Sequence, residues 1–393
     1  MSNGRLTLRP VVWSEVDSFG HTRRRSPSPD EDVSESSDTP PRKKKKKPIG
    51  PPVVTYPPSL TPSERLWRDR YAYFGQLGYQ LRPRYRPDWS PNWTGSGRHF
   101  QHGEDHIMQI VLDATRAKDG MVVCIKMIQD PRKVQQIRIL QWFSTRTETR
   151  NHVVTYLDTF PDNYMHNSHY LVTPVLRRFD DPEFGAVSEI VDFITQILEG
   201  MAFLHENNIA HHNLTAEHIM MEAKPILPTG WHFVSPFCEP DGINRVKPLA
   251  RRDHPVRYVF IGFGTCYHIP LNQRNLVHGI GGNDDEVPEL RHHRPYDPFK
   301  LDIYTLGNKF EGLDFLYDLI GYMRVPEFER RPSAEVILRK WLRVRDQIDL
   351  RAMEDTPLQF RDRARQRSPY NSDSATSANS RSHKRDISSI LNK

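Results

Sequence analysis

The chain has 393 residues, of which 37% are hydrophobic, and its formal net charge is +6. This length allows one large domain or two lobes, and the low hydrophobic share predicts disordered ends around a folded middle. Three scattered cysteines, Cys124, Cys238 and Cys266, exclude a disulfide framework and a CxxC metal motif, and favour a reducing, intracellular compartment. No segment approaches the roughly 20 apolar residues of a membrane helix, so we expect no membrane association.

Two segments rich in Ser, Arg and charge predict disordered tails at residues 1–55 and 350–393. Such compositions bury too little apolar surface to offset the conformational entropy lost on folding. The first tail carries six consecutive basic residues, Arg42–Lys47, which are either a solvated, self-repelling run or a nuclear-import signal. Without import we expect a cytoplasmic protein, and nucleic-acid binding through the same run stays open as an alternative.

The tails also contain serines that directly precede proline in basic surroundings. These are candidate substrates of protein kinases, and they are Ser26, Ser28 and Ser368. Addition of a phosphate would place new negative charge in an otherwise basic tail.

Residues 56–106 form an aromatic-rich N-terminal extension that differs from the first tail. Thr61, followed three residues later by Glu64, predicts a capping box at the start of a helix. Trp67 and Phe74 follow on that helical stripe, and we expect both to pack on the globular body.

From about residue 107 the pattern predicts strands, with 107–115 and 121–128 joined by a turn at Asp119-Gly120. A helix is expected over 134–146 and a further strand over 169–176. A long buried helix follows, because apolar residues recur three and four positions apart at Ile190, Ile194, Ile197, Met201 and Leu204. The sequence therefore predicts an α+β fold, with a strand-rich lobe at 107–180 and a helical lobe at 181–349.

Six short motifs in this region resemble the ordered landmarks of a protein-kinase domain. In chain order they are Val123-Cys-Ile-Lys126, His211-His-Asn-Leu-Thr-Ala-Glu-His218, Gly262-Phe-Gly264, Val287-Pro-Glu289, Asp302-Ile-Tyr-Thr-Leu-Gly307 and Arg331-Pro-Ser333. Phrases such as LTPSERLWRD and PYDPFKLDIYTLGN are also similar to a kinase-like group from mushroom-forming fungi. The resemblance implies a bilobal fold with disordered tails, and it brings no substrate with it.

The resemblance implies that the chemical positions of this fold are altered here. Asn213 occupies the position of the proton-accepting Asp, and His218 and Gly262 occupy the two metal-ligand positions. An amide cannot accept the proton, an imidazole is a poor ligand for Mg²⁺, and glycine has no side chain. We therefore expect no metal site, and His212, beside Asn213, is a weak alternative base.

The nucleotide-binding positions are also depleted. Lys126 is retained as a candidate phosphate contact. The position of its expected acidic partner is occupied by Gln136, or by Gln135 if the alignment shifts by one. Gly95-Ser-Gly97 is the nearest match to a glycine-rich loop, and it lacks the third glycine. No cofactor is expected, with ATP bound without normal magnesium coordination as the alternative.

The architectural positions of the same fold are retained. The resemblance implies that His211 orders the loop backbone, that Asp302 holds this loop, and that Glu289 pairs with Arg331. We therefore expect a catalytically impaired pseudokinase that acts as a binding, scaffold or regulatory module for a protein partner. The alternatives are an atypical active Ser/Thr kinase, in which His212 or Glu217 replaces Asn213, and a nucleic-acid adaptor.

A long insert at 222–257 separates the last two altered positions. Loops of this length without regular structure tend to be functional or disordered. Its aromatic residues, Trp231, Phe233 and Phe237, indicate that part of it packs. Covering a cleft and presenting a partner surface are both open at this point.

Overall fold

The computed structural model of the chain describes residues 60–90, 111–270, 276–278, 286–291, 295–310 and 316–348. Several sequence predictions lie outside these ranges: both tails, the basic run Arg42–Lys47, the serines Ser26, Ser28 and Ser368, and the Gly95–Gly97 fragment. They stay predictions.

Five of the described strands form one antiparallel sheet in the order β1-β2-β3-β5-β4. These strands are β1 (Tyr79–Leu81), β2 (Val111–Arg116), β3 (Val122–Ile128), β4 (Asp158–Pro161) and β5 (His169–Pro174). The turn between β2 and β3 contains Gly120, whose positive φ of 69° suits a residue without a Cβ. The predicted hairpin is therefore confirmed.

The remaining described strands are short and lie between the helices. They are β6 (Arg177–Arg178), β7 (Ile209–Ala210), β8 (Ile219–Glu222), β9 (Arg257–Phe260) and β10 (Tyr267–His268). Strands β6, β8 and β9 pair in that order, and β10 pairs with β7. The insert 222–257 therefore leaves from the end of β8 and returns at the start of β9.

The helices that the structure describes are concentrated after the sheet. They are α1 (Pro62–Asp69), α2 (Tyr71–Gln76), α3 (Gln135–Ser144), α4 (Val187–Glu206), α5 (Pro298–Lys309), α6 (Tyr317–Met323) and α7 (Ala334–Arg345). The predicted stripe of α4 is fully buried, and Trp341 of α7 donates its indole N–H to Thr195 of α4 at 2.9 Å. This contact fixes α7 across α4.

Helix α1 begins with the predicted capping box. The Glu64 backbone N–H donates to the Thr61 hydroxyl at 3.3 Å, and the Thr61 N–H donates to the Glu64 carboxylate at 2.8 Å. The same carboxylate is fully buried and pairs with Arg84 at 2.6 Å. One side chain therefore starts the helix and joins it to the segment after β1.

The described part of the extension predicted at 56–106, residues 60–90, contributes to the sheet, because its strand β1 pairs with β2. Leu81 lies opposite Ala114 in this pairing. Three residues are too few to reveal a strand by alternation, which explains why the sequence did not predict β1. Trp67 and Phe74 are both buried against the sheet, as their helical stripe predicted.

The described residues form three apolar clusters. We call the two larger ones the sheet core and the helical core. The sheet core lies on one face of the sheet and includes Trp67, Phe74, Leu112, Ile125 and Tyr170. The helical core is larger and includes Ile194, Leu198, Val259, Phe260 and Trp341. The chain is thus a mixture of helices and antiparallel strands, in agreement with the predicted α+β class.

The two faces of strand β3 have different environments. Val123, Ile125 and Met127 are buried in the sheet core, while Cys124 and Lys126 point to the opposite face. We call this opposite face the Lys126 face. A main-chain seam joins the chain before β4 to the helical part, since the Phe260 N–H donates to the His152 carbonyl at 2.7 Å.

None of the described helices combines the length and apolar character that crossing a bilayer requires.

Candidate functional site

The segment His211–His218, which we call the histidine loop, follows β7 and is held by α5. The Asp302 carboxylate accepts hydrogen bonds from the backbone N–H groups of His211 and His212, at 2.7 and 2.6 Å. Asp302 is fully buried, and it also lies 3.1 Å from the His205 imidazole. A carboxylate with these donors fixes the loop backbone relative to α4 and α5.

The His211 side chain is fully buried and both of its ring nitrogens have partners. Nε2 donates to the Ile261 carbonyl at 2.8 Å, and Nδ1 accepts from the Asn213 N–H at 3.3 Å. One nitrogen donates while the other accepts, so this arrangement requires the neutral imidazole. Burial lowers the pKa of His211 to about 4.

Asn213, in the predicted proton-acceptor position, lies in the same buried loop. Its side-chain oxygen is buried and has no hydrogen-bond partner among the described residues. The side chain is an amide, which does not take up a proton near neutral pH. The position therefore offers a hydrogen-bonding group but no general base.

His218 and Gly262 lie against each other. Gly262 has a φ of 84°, and a Cβ added to it would overlap the His218 ring, with Nε2 only 2.6 Å away. The Thr215 hydroxyl lies 3.0 Å from Nδ1 of His218 and holds the ring in place. The His218 imidazole thus fills the space that a side chain at position 262 would need.

The surroundings of His218 favour its neutral form. Burial lowers its pKa most, and the positive charge of Lys126 lowers it further. Among the described residues, no group of three or more His, Cys, Asp and Glu side chains is arranged to hold a metal ion.

Lys126 on β3 contacts Gln136 on α3. The Lys126 ammonium donates to the Gln136 side-chain oxygen at 3.4 Å, so Gln136 and not Gln135 is the neighbour. The Gln136 amide in turn donates to the Lys133 carbonyl at 2.7 Å. Burial lowers the pKa of Lys126, and the positive charge of Lys133 lowers it further.

Glu289 and Arg331 form a buried ion pair at 2.6 Å. The Arg331 guanidinium also donates to the Lys300 carbonyl at 2.6 Å and to the Val325 carbonyl at 3.0 Å. These bonds connect the 288–291 turn, the start of α5 and the start of α7. The contact that the sequence implied between these two residues is present.

His212 and Glu217, the alternative bases, have different surroundings. His212 adopts a positive φ of 65°, its ring stacks on Tyr296, and its Nε2 lies 2.6 Å from the Tyr296 hydroxyl. Tyr267 packs edge-on against the other side of the same ring. Glu217 is exposed on the surface.

Sequence reasoning missed a charge pair on the Lys126 face. Arg82 and Asp113 are buried and their side chains meet at 2.5 Å. Asp113 lies opposite Cys124 in the β2–β3 register, so it shares the face of Lys126. The sequence signal for this pair was Asp113, a charged residue inside the apolar stretch IVLDAT.

A scan against protein-family models and a search of curated proteins found no match for this chain.

Proposed function

We propose that this chain has a bilobal protein-kinase-like fold and acts as a catalytically impaired binding or scaffold module. An antiparallel sheet that precedes a helical part is consistent with this fold. So are the contact of Lys126 with Gln136, the bonds from Asp302 to the histidine loop, and the buried Glu289–Arg331 pair.

The observation that carries the proposal is the packing of His218 against Gly262. In the proposed fold these two positions provide oxygen ligands to magnesium. Mg²⁺ requires a nearly octahedral set of oxygen atoms, whereas this chain offers one imidazole and a residue without a side chain. Because the imidazole lies where a Cβ at position 262 would be, it leaves no room for a ligand side chain at that position.

The loss of a general base supports the same conclusion. Phosphoryl transfer depends on positioning and on neutralisation of charge, with a carboxylate that orients the attacking hydroxyl. Replacing a positioned base with an amide typically lowers the rate by roughly 10²–10⁴. Asn213 therefore adds to the effect of the altered metal positions.

The direct test is transfer of radiolabelled phosphate from ATP to a general protein substrate, with Mg²⁺ and separately with Mn²⁺. We expect no transfer above that of the Lys126→Ala variant. Lys126→Ala is the matched control because it removes the retained lysine and none of the altered positions. Robust transfer that disappears in Lys126→Ala would overturn the proposal.

The second candidate is an atypical active kinase, and the retained Lys126 on β3 favours it. This alternative needs His212 or Glu217 as the base. The Tyr296 contact engages His212, and Glu217 points to the surface, so both would have to move. Transfer that is lost in His212→Gln or Glu217→Gln, as well as in Lys126→Ala, would establish the alternative.

A further inference from the structure

The insert 222–257 is a folded loop with its own hydrogen bonds. The His232 N–H donates to the Cys238 carbonyl at 2.9 Å, and the Val246 N–H donates to the Phe237 carbonyl at 3.1 Å. The Leu249 N–H closes the base of the loop by donating to the Ile226 carbonyl at 2.9 Å. Long connections between regular elements are usually functional or disordered, and the internal hydrogen bonds show that this one is ordered.

One side of the insert is fixed to the helical part. Trp231 and Val246 pack against the helical core. The Arg177 guanidinium lies 5.5 Å from the Trp231 ring and donates to the Pro236 carbonyl at 2.7 Å. Arg177 is buried and belongs to β6, the first strand after the sheet, so the insert is anchored where the chain leaves the sheet.

The other side of the insert contacts the sheet. Phe233 and Val234 pack against the sheet core, and the Arg82 guanidinium lies 5.8 Å from the centre of the Phe233 ring. Arg82 is paired with Asp113, and Asp113 shares the Lys126 face with Cys124. Phe233 is therefore placed beside the charge pair on that face.

We propose that residues 231–238 form a built-in wedge that ties the sheet, beside the Arg82–Asp113 pair, to the helical part. Two independent contacts carry this inference, Arg177 with Trp231 on one side and Arg82 with Phe233 on the other. The wedge fixes the separation of the two parts. The inference rests on these contacts and does not depend on the proposed function.

Cys124 provides a reporter of the wedge, because it lies opposite Asp113, the partner of Arg82, in the β2–β3 register. Burial raises the pKa of its thiol to about 12. Cys266, in the turn after Gly262, has a pKa that burial also raises to about 12. Both cysteines are free and partly buried, so Cys266 reports general loosening while Cys124 reports opening at the wedge.

The experiment is native labelling of the full chain with N-ethylmaleimide, resolved for each cysteine by peptide mass spectrometry. In the double variant Phe233→Ala/Val234→Ala we expect the labelling rate of Cys124 to rise roughly tenfold or more, because the contacts that oppose local opening are removed. The rate at Cys266 should not change. Phe237→Ala is the matched control, since Phe237 belongs to the same turn but is 56% exposed.

Two outcomes would overturn the proposal: an unchanged Cys124 rate in the double variant, or an equal rise at Cys124 and Cys266. Hydrogen exchange of the wild-type chain in low urea provides a second measurement if the variant fails to fold. Amides of residues 231–238 and of β3 should then exchange through the same opening event. Exchange of 231–238 through a separate, easier opening would contradict the wedge.

Discussion

At the scale of single residues, His211 shows how a buried imidazole is committed to one protonation state. Its Nδ1 accepts a hydrogen bond from Asn213, so a proton on that nitrogen would break the bond and place charge in the interior. The histidine loop therefore depends on a neutral ring.

Stability should consequently fall on acidification. The pKa of His211 is about 4 in the folded chain, below its ordinary value of 6.5. Between these pH values the unfolded chain binds a proton that the folded chain does not, so the stability present above pH 6.5 is lost as the pH falls towards 4. The shift corresponds to roughly 3 kcal/mol of unfolding free energy.

Urea denaturation at several pH values measures this effect. His211→Gln should flatten the dependence of the unfolding free energy on pH between 6.5 and 4. His254→Gln, at an exposed histidine, is the matched control for the substitution itself. An identical pH dependence in His211→Gln and in the wild type would contradict the prediction. His152, with a pKa lowered by burial to about 4, should account for a further part of the dependence.

The His218–Gly262 contact gives a second prediction at this scale. Gly262→Asp should lower the unfolding free energy by roughly 2–4 kcal/mol, because the new Cβ overlaps the His218 ring and the backbone is left-handed. The double variant His218→Asn/Gly262→Asp should be more stable than the sum of the two single changes predicts, since the smaller side chain removes the overlap. Thermal unfolding of all four proteins measures this coupling.

Gly120→Asp is the control for backbone strain. Gly120 also has a positive φ, of 69°, but an added Cβ there meets no atom within 4 Å. The unfolding free energy lost in Gly120→Asp should therefore equal only that part of the Gly262→Asp loss that comes from the left-handed backbone. Equal losses of unfolding free energy at both positions would mean that the His218 ring moves aside at little cost.

At the scale of elements, local signals in the sequence predicted the helices and strands whose cause is local. The capping box of α1, the turn at Gly120 and the apolar stripe of α4 each depend on residues a few positions apart. Strand β1 was not predicted, because it exists only through its pairing with β2. For the same reason the sequence left the insert unassigned, since its position depends on Arg82 and Arg177.

The candidate site divides along the same line. Its residues were predicted through an ordered set of short motifs, and the contacts of Lys126, Asp302 and Glu289 follow from them. The packing of His218 on Gly262 and the Arg82–Asp113 pair were not predicted. Both depend on the distance between segments that are far apart in the chain, which no local pattern contains.

Helix α1 supplies a prediction at this scale. Glu64 is fully buried, caps its own helix and pairs with Arg84. Glu64→Gln should lower the unfolding free energy by roughly 3–5 kcal/mol, because it removes the negative charge beside a buried guanidinium. Urea denaturation measures the loss.

The control for this prediction lies on the same helix. Asp69 pairs with Arg68 at 2.7 Å, but both side chains are exposed. Asp69→Asn should therefore change the unfolding free energy by about 0.5 kcal/mol or less. Similar losses of unfolding free energy in Asp69→Asn and Glu64→Gln would show that burial does not increase the contribution of the Glu64–Arg84 pair.

At the scale of the whole molecule, the proposed function concerns whether the folded chain binds nucleotide. A ligand raises the melting temperature only by binding the folded state. We expect Mg·ATP to give no greater thermal stabilisation than Mg²⁺ alone in a scan of the full chain. A shift with Mg·ATP that Lys126→Ala abolishes would contradict this expectation.

The packing of His218 into the space that a side chain at position 262 would need has a consequence for evolution. If the chain descends from an active ancestor, each single reversion passes through a less stable protein, with either a steric overlap or an unfilled cavity. Selection for stability alone would then retain His218 and Gly262 together, because each single reversion is destabilising. Recovery of the ancestral chemistry would require both changes within one lineage before either was useful.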